Sequence, residues 1–261
     1  MSSNDSFIRF RSVRKAFGQK VVYSGLDLTV ERGTALTIVG GSGVGKSVML
    51  KMLIGLLKPD AGSVRFDGEE VTGMNERELS KLRQRIAMLF QAGALFDSMS
   101  VGENVAVPLR LAGWERGRAR ARVTELLALV ELDPELGPRR PSELSGGQQQ
   151  RVGVARALAV SPRLMLMDEP FGALDPLTRD RLQQTFALLR RRLGLTAILV
   201  THDMSEALLL GDRVGVMNAG RLVQIGPPAA LLRAPADDHV ALLLETPRRQ
   251  ARRLDELSGR R

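Results

Sequence analysis

The sequence predicts an α/β fold, with a mainly parallel sheet covered by helices on both faces and a helical insertion in its middle. Apolar runs of strand length alternate with helical stretches along much of the 261 residues. One such run, 34–39, leads into a glycine-rich loop and then into a helix. Between residue 92 and about residue 160 the strand signal fades and helical periodicity replaces it.

The first ninety residues alternate short strands with two helices. Turn and breaker residues set the predicted boundaries, notably a turn at Ser24-Gly25 and a hairpin around Asp67-Gly68. The predicted strands are 7–13, 26–30, 34–39, 63–66, 69–71 and 86–90. The predicted helices are 47–57, which ends at Lys58-Pro59, and 76–85.

The remainder of the chain contains the insertion, two further strands and a tail. Helices are predicted at 116–130, 149–159 and 177–193, and strands at 164–167 and 197–201. The tail combines an apolar stretch, 240–244, with a basic one, 248–253. It is a candidate for docking on a second copy of the chain, on another subunit or at an anionic membrane surface, and a loosely ordered end is the alternative.

Composition excludes several classes of protein. The chain has no cysteine, which excludes disulfides and thiolate metal sites, and its polar N-terminus lacks the pattern of a signal peptide. Its apolar runs are too short to span a membrane. The net charge of +9 invites a nucleic-acid or membrane partner, but one Trp and one Tyr provide no stacking platform, and a solvated basic surface explains the charge equally well.

A phosphate-binding motif occupies the loop Gly40-Gly41-Ser42-Gly43-Val44-Gly45-Lys46-Ser47. It satisfies G-x-x-x-x-G-K-[ST] between a predicted strand and a predicted helix. Backbone N–H groups would surround the phosphates, Lys46 would neutralise the β- and γ-phosphates, and the Ser47 hydroxyl would ligate Mg²⁺. The loop therefore predicts a nucleoside triphosphate site.

Two carboxylates follow the apolar run 164–167. Asp168 comes at the carboxyl end of a strand, where ligands bind in open α/β sheets, and it is predicted to hold a metal-bound water. Glu169 is predicted to orient or deprotonate the water that attacks the γ-phosphate. Gln91 and His202 also follow predicted strands, and His202 is a candidate for a γ-phosphate contact.

A second glycine turn, Leu144-Ser145-Gly146-Gly147-Gln148, leads directly into the predicted helix 149–159. A helix start offers unpaired N–H groups and the positive end of the helix dipole. Two anion-binding turns in one chain indicate a nucleotide that is held from two sides.

The ordered motifs resemble those of the nucleotide-binding subunits of ABC transporters. The resemblance covers about residues 7–235, and the second glycine turn is its most specific element. It implies a P-loop NTPase (RecA-like) core at 1–91 and 161–235 with an N-terminal antiparallel β region, a helical signature subdomain at 92–160 and a tail at 236–261.

The resemblance also implies a role for each site residue. The residues expected at the reacting phosphate are Lys46, Gln91, Glu169 and His202. The residues expected at Mg²⁺ are Ser47, Gln91 and Asp168. Phe17 would stack on the adenine of ATP, although burial in the core is its alternative.

In this family the residues of the second glycine turn act across a dimer. Ser145 and Gly147 would bind the γ-phosphate of ATP held by a second copy of the chain, and Asp175 would communicate between the two sites. ATP would close the twofold dimer, and hydrolysis would open it. Membrane permease subunits would hold the ATPase at the cytoplasmic face of the inner membrane.

The type of transporter is read from segments near the motifs. Three of them, 45–51, 88–101 and 103–110, resemble the ATPase of Mce-type lipid transporters, which include the maintenance-of-lipid-asymmetry system. This predicts phospholipid transport and a periplasmic Mce-type lipid-binding subunit as a partner. Segments 148–151 and 169–175 look more like generic importer ATPases, so import of amino acids or other small solutes is the alternative.

The segment after Gln91 would form the groove for a permease helix. Leu95, Phe96 and Met99 are apolar and are candidates to line it, with core packing as the alternative. A third possibility is an ABC ATPase that acts on nucleic acid, but such proteins carry coiled-coil insertions or two fused ATPase domains. This chain has a single phosphate loop and no heptad array, so no nucleic-acid partner is expected.

Overall fold

The computed structural model describes residues 6–90, 94–172 and 174–257. The strands are β1 (Ser6–Phe17), β2 (Lys20–Glu31), β3 (Ala35–Val39), β4 (Ala61–Phe66), β5 (Glu69–Glu70), β6 (Ile86–Phe90), β7 (Leu164–Asp168), β8 (Thr196–Thr201), β9 (Arg213–Asn218) and β10 (Arg221–Gly226). The helices are α1 (Lys46–Leu53), α2 (Glu76–Arg83), α3 (Val101–Leu111), α4 (Arg116–Leu129), α5 (Gly146–Leu158), α6 (Pro176–Leu193), α7 (Met204–Leu210), α8 (Pro228–Arg233) and α9 (Asp238–Leu257).

The described residues form two compact units. The first contains the residues up to Gly73 and those from Leu199 onward, and the second contains Met74–Ile198. Strand pairing is mixed, since β3–β9 and β6–β7 are parallel whereas the N-terminal strands are antiparallel. The predicted α/β class with an antiparallel N-terminal region is therefore confirmed. The predicted domain boundaries at 91, 160 and 235 stay a prediction.

An antiparallel sheet in the first unit has the strand order β2-β1-β4-β5. Phe10 on β1 lies opposite Leu28 on one side and Val64 on the other, and all three side chains are buried. β4 and β5 form the hairpin expected at Asp67-Gly68, because both residues adopt left-handed backbone angles that suit a two-residue turn. The turn predicted at Ser24-Gly25 is wrong, since β2 continues through it.

Strands β10, β9 and β3 lie side by side in that order in the same unit. All five residues of β3 are buried, which explains the continuous apolar sequence of this strand. The helix after it ends at Leu53, four residues earlier than predicted, and Gly55 follows with a left-handed backbone. β3 thus leads directly into the glycine loop.

The tail is an ordered helix over most of its length. On α9, Val240 and Leu244 are fully buried in a cluster with residues of β3, β9, α7 and α8, and the Arg248 guanidinium donates a hydrogen bond to the Leu232 carbonyl. These contacts favour a docked helix over a loosely ordered end for residues 238–248. Within the part of the chain that the structure describes, no helix has the length and apolarity needed to cross a membrane.

The burial of α9 gives a stability prediction. Leu244→Ala should lower the free energy of unfolding by about 3 kcal/mol, because a fully buried leucine leaves a cavity when it is truncated. Leu242→Ala is the control, because this side chain is 69% exposed and its truncation should change stability by less than about 0.5 kcal/mol. Urea unfolding measures both variants, and equal losses would contradict the described packing of α9.

The second unit contains the helical insertion and the strands β6 and β7. These strands are parallel and pair in register from Ile86 with Leu164 to Phe90 with Asp168. The predicted helices at 76–85, 116–130, 149–159 and 177–193 correspond to α2, α4, α5 and α6 within a few residues. The unit therefore places the end of β7 beside the end of β6.

Candidate functional site

The glycine loop joins β3 to α1 in the first unit. Gly43 and Gly45 have left-handed backbones with φ of 76° and 110°. A Cβ on Gly45 would lie 2.8 Å from side-chain atoms of Tyr23 and Val22, so this position requires glycine. The Tyr23 hydroxyl donates a hydrogen bond to the Gly45 carbonyl, and burial raises the pKa of Tyr23, which keeps this donor protonated. Tyr23 thus holds the Gly45 end of the glycine loop in place.

Lys46 is the charged group of this loop. Its side chain is only 6% exposed, and its Nζ donates hydrogen bonds to the carbonyls of Gly40 and Gly41 at 2.8 Å each. Ser47 occupies the first turn of α1, where the backbone N–H groups of a helix are unpaired. A buried ammonium, a helix start and a glycine backbone together fit a polyphosphate anion.

Two further predicted residues belong to the same unit. His202 is exposed and lies between the last residue of β8 and α7, and the adjacent Asp203 caps α7 by accepting hydrogen bonds from Ser205 and Glu206. Phe17 ends β1 and is 47% exposed, with Lys15 Nζ 5.3 Å from its ring centroid. Phe17 is therefore not a core residue, and its contact with adenine stays a prediction.

The carboxylates at the end of β7 belong to the second unit. Asp168 is half-buried and is the last residue of the strand. Glu169 follows with φ of +47°, a conformation that is uncommon outside glycine, asparagine and aspartate and persists only when the surroundings fix it. Gln91 lies outside the described residues, but Phe90 immediately before it pairs with Asp168. The assignment of Ser47, Gln91 and Asp168 as ligands of Mg²⁺ stays a prediction.

The second glycine turn forms the start of α5. The Ser145 hydroxyl accepts a hydrogen bond from Gln148 N at 3.3 Å, while Gln148 Oε1 accepts one from Ser145 N at 2.9 Å. This reciprocal pair is a capping box, which the sequence reasoning missed although the spacing S-x-x-Q signals it. Leu144 is buried, whereas Ser145 and Gly146 are exposed. The turn is open to a ligand or a second chain.

Gly147 packs against the start of α6. A Cβ on Gly147 would lie 2.3 Å from Thr178 Cγ2, so the turn depends on glycine here. Asp175 caps α6 by accepting a hydrogen bond from Thr178 N, and hydrogen bonds from the hydroxyl and backbone of Thr178 hold the pKa of this carboxyl below its usual range. Thr178 therefore contacts both the second glycine turn and Asp175.

A groove of about 600 Å³ lies between α2, α3 and α5 in the second unit. Phe96 lines it and is about half exposed, and Pro108, Leu111 and Met88 add further apolar surface. Leu95 and Met99 are half-buried. These residues are not part of a closed core, and their role in receiving a partner helix stays a prediction.

The chain is similar to a known protein family and to characterised proteins of two bacteria. The family model for the ABC transporter matches residues 23–172, more than half of the chain. The glycine betaine uptake system ATP-binding protein of Escherichia coli (strain K12) is 46% identical over 233 residues, which cover 89% of this chain and 75% of the relative. The glycine betaine/carnitine/choline transport ATP-binding protein of Bacillus subtilis (strain 168) is 43% identical over 89% of this chain and 61% of the relative.

Other relatives are import ATP-binding proteins for iron(III), methionine, and sulfate or thiosulfate, at 39–46% identity. The chain spans about 60–75% of the length of these curated relatives. Among solved structures, a dimeric post-hydrolysis ATP-binding cassette bound to ADP and Pi is similar with 32% identity and a TM-score of 0.76, over 85% of this chain and 98% of that chain.

Proposed function

The chain belongs to the ABC transporter family and is an ATPase. We propose that it drives a bacterial importer of small solutes. The observation that carries the proposal is the 46% identity to a glycine betaine uptake ATPase along nearly the whole chain. The relatives described above, at comparable identity, also serve import of small solutes or ions.

Phospholipid transport, the first expectation from the sequence, has weaker support. It rested on three short segments, whereas the similarity to import ATPases extends over 233 residues or more. A periplasmic Mce-type partner has no support among these relatives. Small-solute import, the alternative drawn from segments 148–151 and 169–175, is the better supported function.

In the proposed cycle of ATP hydrolysis, the residues of the site have separate roles. Lys46 and the N–H groups of the glycine loop bind the β- and γ-phosphates of ATP. Ser47, Gln91 and Asp168 would hold Mg²⁺, which neutralises charge developing on the phosphates when bound. Glu169 orients and deprotonates the attacking water, and His202 contacts the γ-phosphate.

The second glycine turn would act on a second copy of the chain. Ser145 and Gly146 are exposed at a helix start, where N–H groups can bind the γ-phosphate of ATP held by the other copy. The similar solved cassette is itself dimeric, which supports this arrangement. ATP would close the dimer, and loss of the γ-phosphate would open it.

Membrane permease subunits are the proposed partners at the cytoplasmic face of the inner membrane. The groove beside Phe96 is apolar and accessible, and an amphipathic permease helix would bury these side chains. Import activity would then require both this ATPase and its permease.

Solute uptake in a deletion strain tests the proposed function. The strain lacking this chain should lose ATP-dependent uptake of one solute from a panel of radiolabelled glycine betaine, choline, methionine and iron(III). Expression of the chain should restore uptake, and expression of Lys46→Ala should not. Normal uptake of every panel solute together with altered phospholipid distribution between the two membranes would contradict import and revive lipid transport.

A glycine substitution tests the second turn. Gly147→Ala should lower kcat for ATP hydrolysis about tenfold or more, because the new methyl group would meet Thr178 Cγ2 at 2.3 Å and displace the turn. Thr178→Ser removes this Cγ2, so the double variant Gly147→Ala/Thr178→Ser should recover most of the activity. Steady-state ATPase kinetics measure both variants, and failure of the serine to restore kcat would show that the clash is not the cause.

A further inference from the structure

Gln150 is a buried polar residue that none of the predicted roles uses. It lies on α5, five residues after Ser145, and its side chain is 1% exposed. Its Nε2 donates a hydrogen bond to the Pro170 carbonyl at 2.6 Å. A carbonyl can only accept, so this contact fixes the amide with its nitrogen toward Pro170.

The other end of the same amide has no partner. Gln150 Oε1 is buried and makes no hydrogen bond within the part of the chain that the structure describes. A buried acceptor without a donor destabilises the folded state, and this cost offsets part of what the hydrogen bond to Pro170 contributes. The net gain in stability is therefore small, and the main consequence of this side chain is that it holds the Pro170 carbonyl in place.

Pro170 follows the residue with the unusual backbone. Glu169 has φ of +47°, and the turn after it is closed by a hydrogen bond from Gly172 N to the Glu169 carbonyl. A left-handed backbone at a non-glycine residue needs external constraints to persist. The hydrogen bond from Gln150 holds the carbonyl of Pro170, the residue directly after Glu169. It thereby restricts the direction in which the Glu169 carboxylate can point.

We propose that Gln150 is a positioning residue for Glu169. Through Gln150, helix α5, which starts at the second glycine turn, sets the position of the Glu169 carboxylate in the same chain. The proposal rests on the function proposed above for Glu169. Ser145 and Gln150 are separated by about 7.5 Å along the helix, at 1.5 Å per residue. A shift of α5 when the second glycine turn binds its ligand therefore reaches Glu169 through one rigid helix and one hydrogen bond.

Gln150→Met is the first test, because methionine keeps the length of the side chain and removes the donor. We expect kcat to fall about 10- to 100-fold, as for a catalytic group displaced by about 1 Å. The dissociation constant for ATP should stay within twofold, since the phosphate loop is unaltered. The thermal midpoint should change little, because removal of the unpaired Oε1 offsets the loss of the donor to the Pro170 carbonyl. An unchanged kcat, or a lost affinity for ATP, would overturn the inference.

Arg151→Met is the matched control on the same helix. The Arg151 guanidinium also donates to backbone carbonyls, but these belong to Val130 and Glu131, which follow α4. Its kcat should stay within about twofold of wild type. An equal loss in both variants would assign the effect to the integrity of α5 and overturn the specific role of Gln150.

Gln150→Glu adds a readout that a purely structural role would not give, and it keeps the inference testable if the methionine variant does not fold. The new carboxyl can donate to the Pro170 carbonyl only when it is protonated. Its kcat relative to wild type should therefore rise as the pH is lowered from 8 to 6, since burial raises the pKa of a carboxyl. A ratio that is independent of pH, or that falls, would contradict the hydrogen bond as the active element.

A double variant separates this inference from the function on which it rests. In a Glu169→Gln background, Gln150→Met should cause no further loss of the residual kcat, because both changes act through one carboxylate. Multiplicative losses would overturn the inference while leaving Glu169 catalytic. Full turnover by Glu169→Gln alone would instead overturn the proposed role of Glu169, and the inference with it.

Discussion

Glu169→Gln is expected to lower kcat for ATP hydrolysis by about 10²- to 10⁴-fold, the usual contribution of a general base. The amide keeps the size of the side chain and its place in the turn after β7, but it cannot accept the proton of the attacking water. ATP should still bind, because Lys46 and the glycine loop are unaltered. The protein should therefore accumulate as an ATP-bound dimer.

Size-exclusion chromatography with ATP and Mg²⁺ measures this accumulation, and steady-state kinetics measure the loss of kcat. Glu125→Gln is the matched control, since this carboxylate lies on α4 and pairs with Arg122 at the surface. The control should resemble wild type in turnover and in elution. A Glu169→Gln protein that hydrolyses ATP normally, or stays monomeric with ATP, would refute the assignment.

Lys46→Ala should weaken ATP binding about 100-fold or more and remove measurable hydrolysis. Its ammonium is buried inside the glycine loop and is placed to form charge-assisted hydrogen bonds with the phosphates. Bonds of this kind contribute about 1.5–3 kcal/mol each, and two of them amount to 100-fold or more in affinity.

Isothermal titration calorimetry with ATP measures this loss of affinity. Lys51→Ala is the control on the same helix, because Lys51 is exposed in the last turn of α1 and should change the affinity less than threefold. If Lys46→Ala binds ATP as tightly as Lys51→Ala does, the glycine loop is not the triphosphate site.

Local signals in the sequence predicted the elements around the phosphate loop well. β6 has the predicted bounds, and the strand, loop and helix order at 34–57 is correct apart from the end of α1. These elements follow from apolar runs and breaker residues that lie within a few positions of one another. The same reasoning failed at Ser24-Gly25, because the pairing of β2 with β1 continues on both sides of Gly25 through an irregularity in the register.

The C-terminal elements were not predicted because long-range packing determines them. β9 pairs with β3, which is about 175 residues earlier in the chain, and α9 is anchored in a cluster that includes Val39 and Val216. A proline and several arginines in α9 also obscure its apolar side. No pattern within residues 204–257 reveals these contacts.

At the candidate site, the sequence predicted the motifs but not the contacts between them. Each glycine turn is a local pattern with a chemical meaning, and so is the carboxylate pair after β7. The contacts of Gly147 with Thr178 and of Gln150 with Pro170 join residues 20 or more positions apart, so the sequence gives no signal for them. Two readable features were missed, namely the capping box of Ser145 and Gln148 and that of Ser100 and Glu103, which starts the unpredicted helix α3.

Single cysteines offer the most direct test of ATP held between two copies, because the native chain has none. One chain would carry Ser42→Cys in the phosphate loop and the other Ser145→Cys in the second glycine turn, both in the Glu169→Gln background. With ATP, mild oxidation of the mixed chains should give a disulfide-linked heterodimer on a non-reducing gel, and without nucleotide it should give little. The absence of this ATP-dependent heterodimer would contradict a dimer in which each turn faces the other copy's nucleotide.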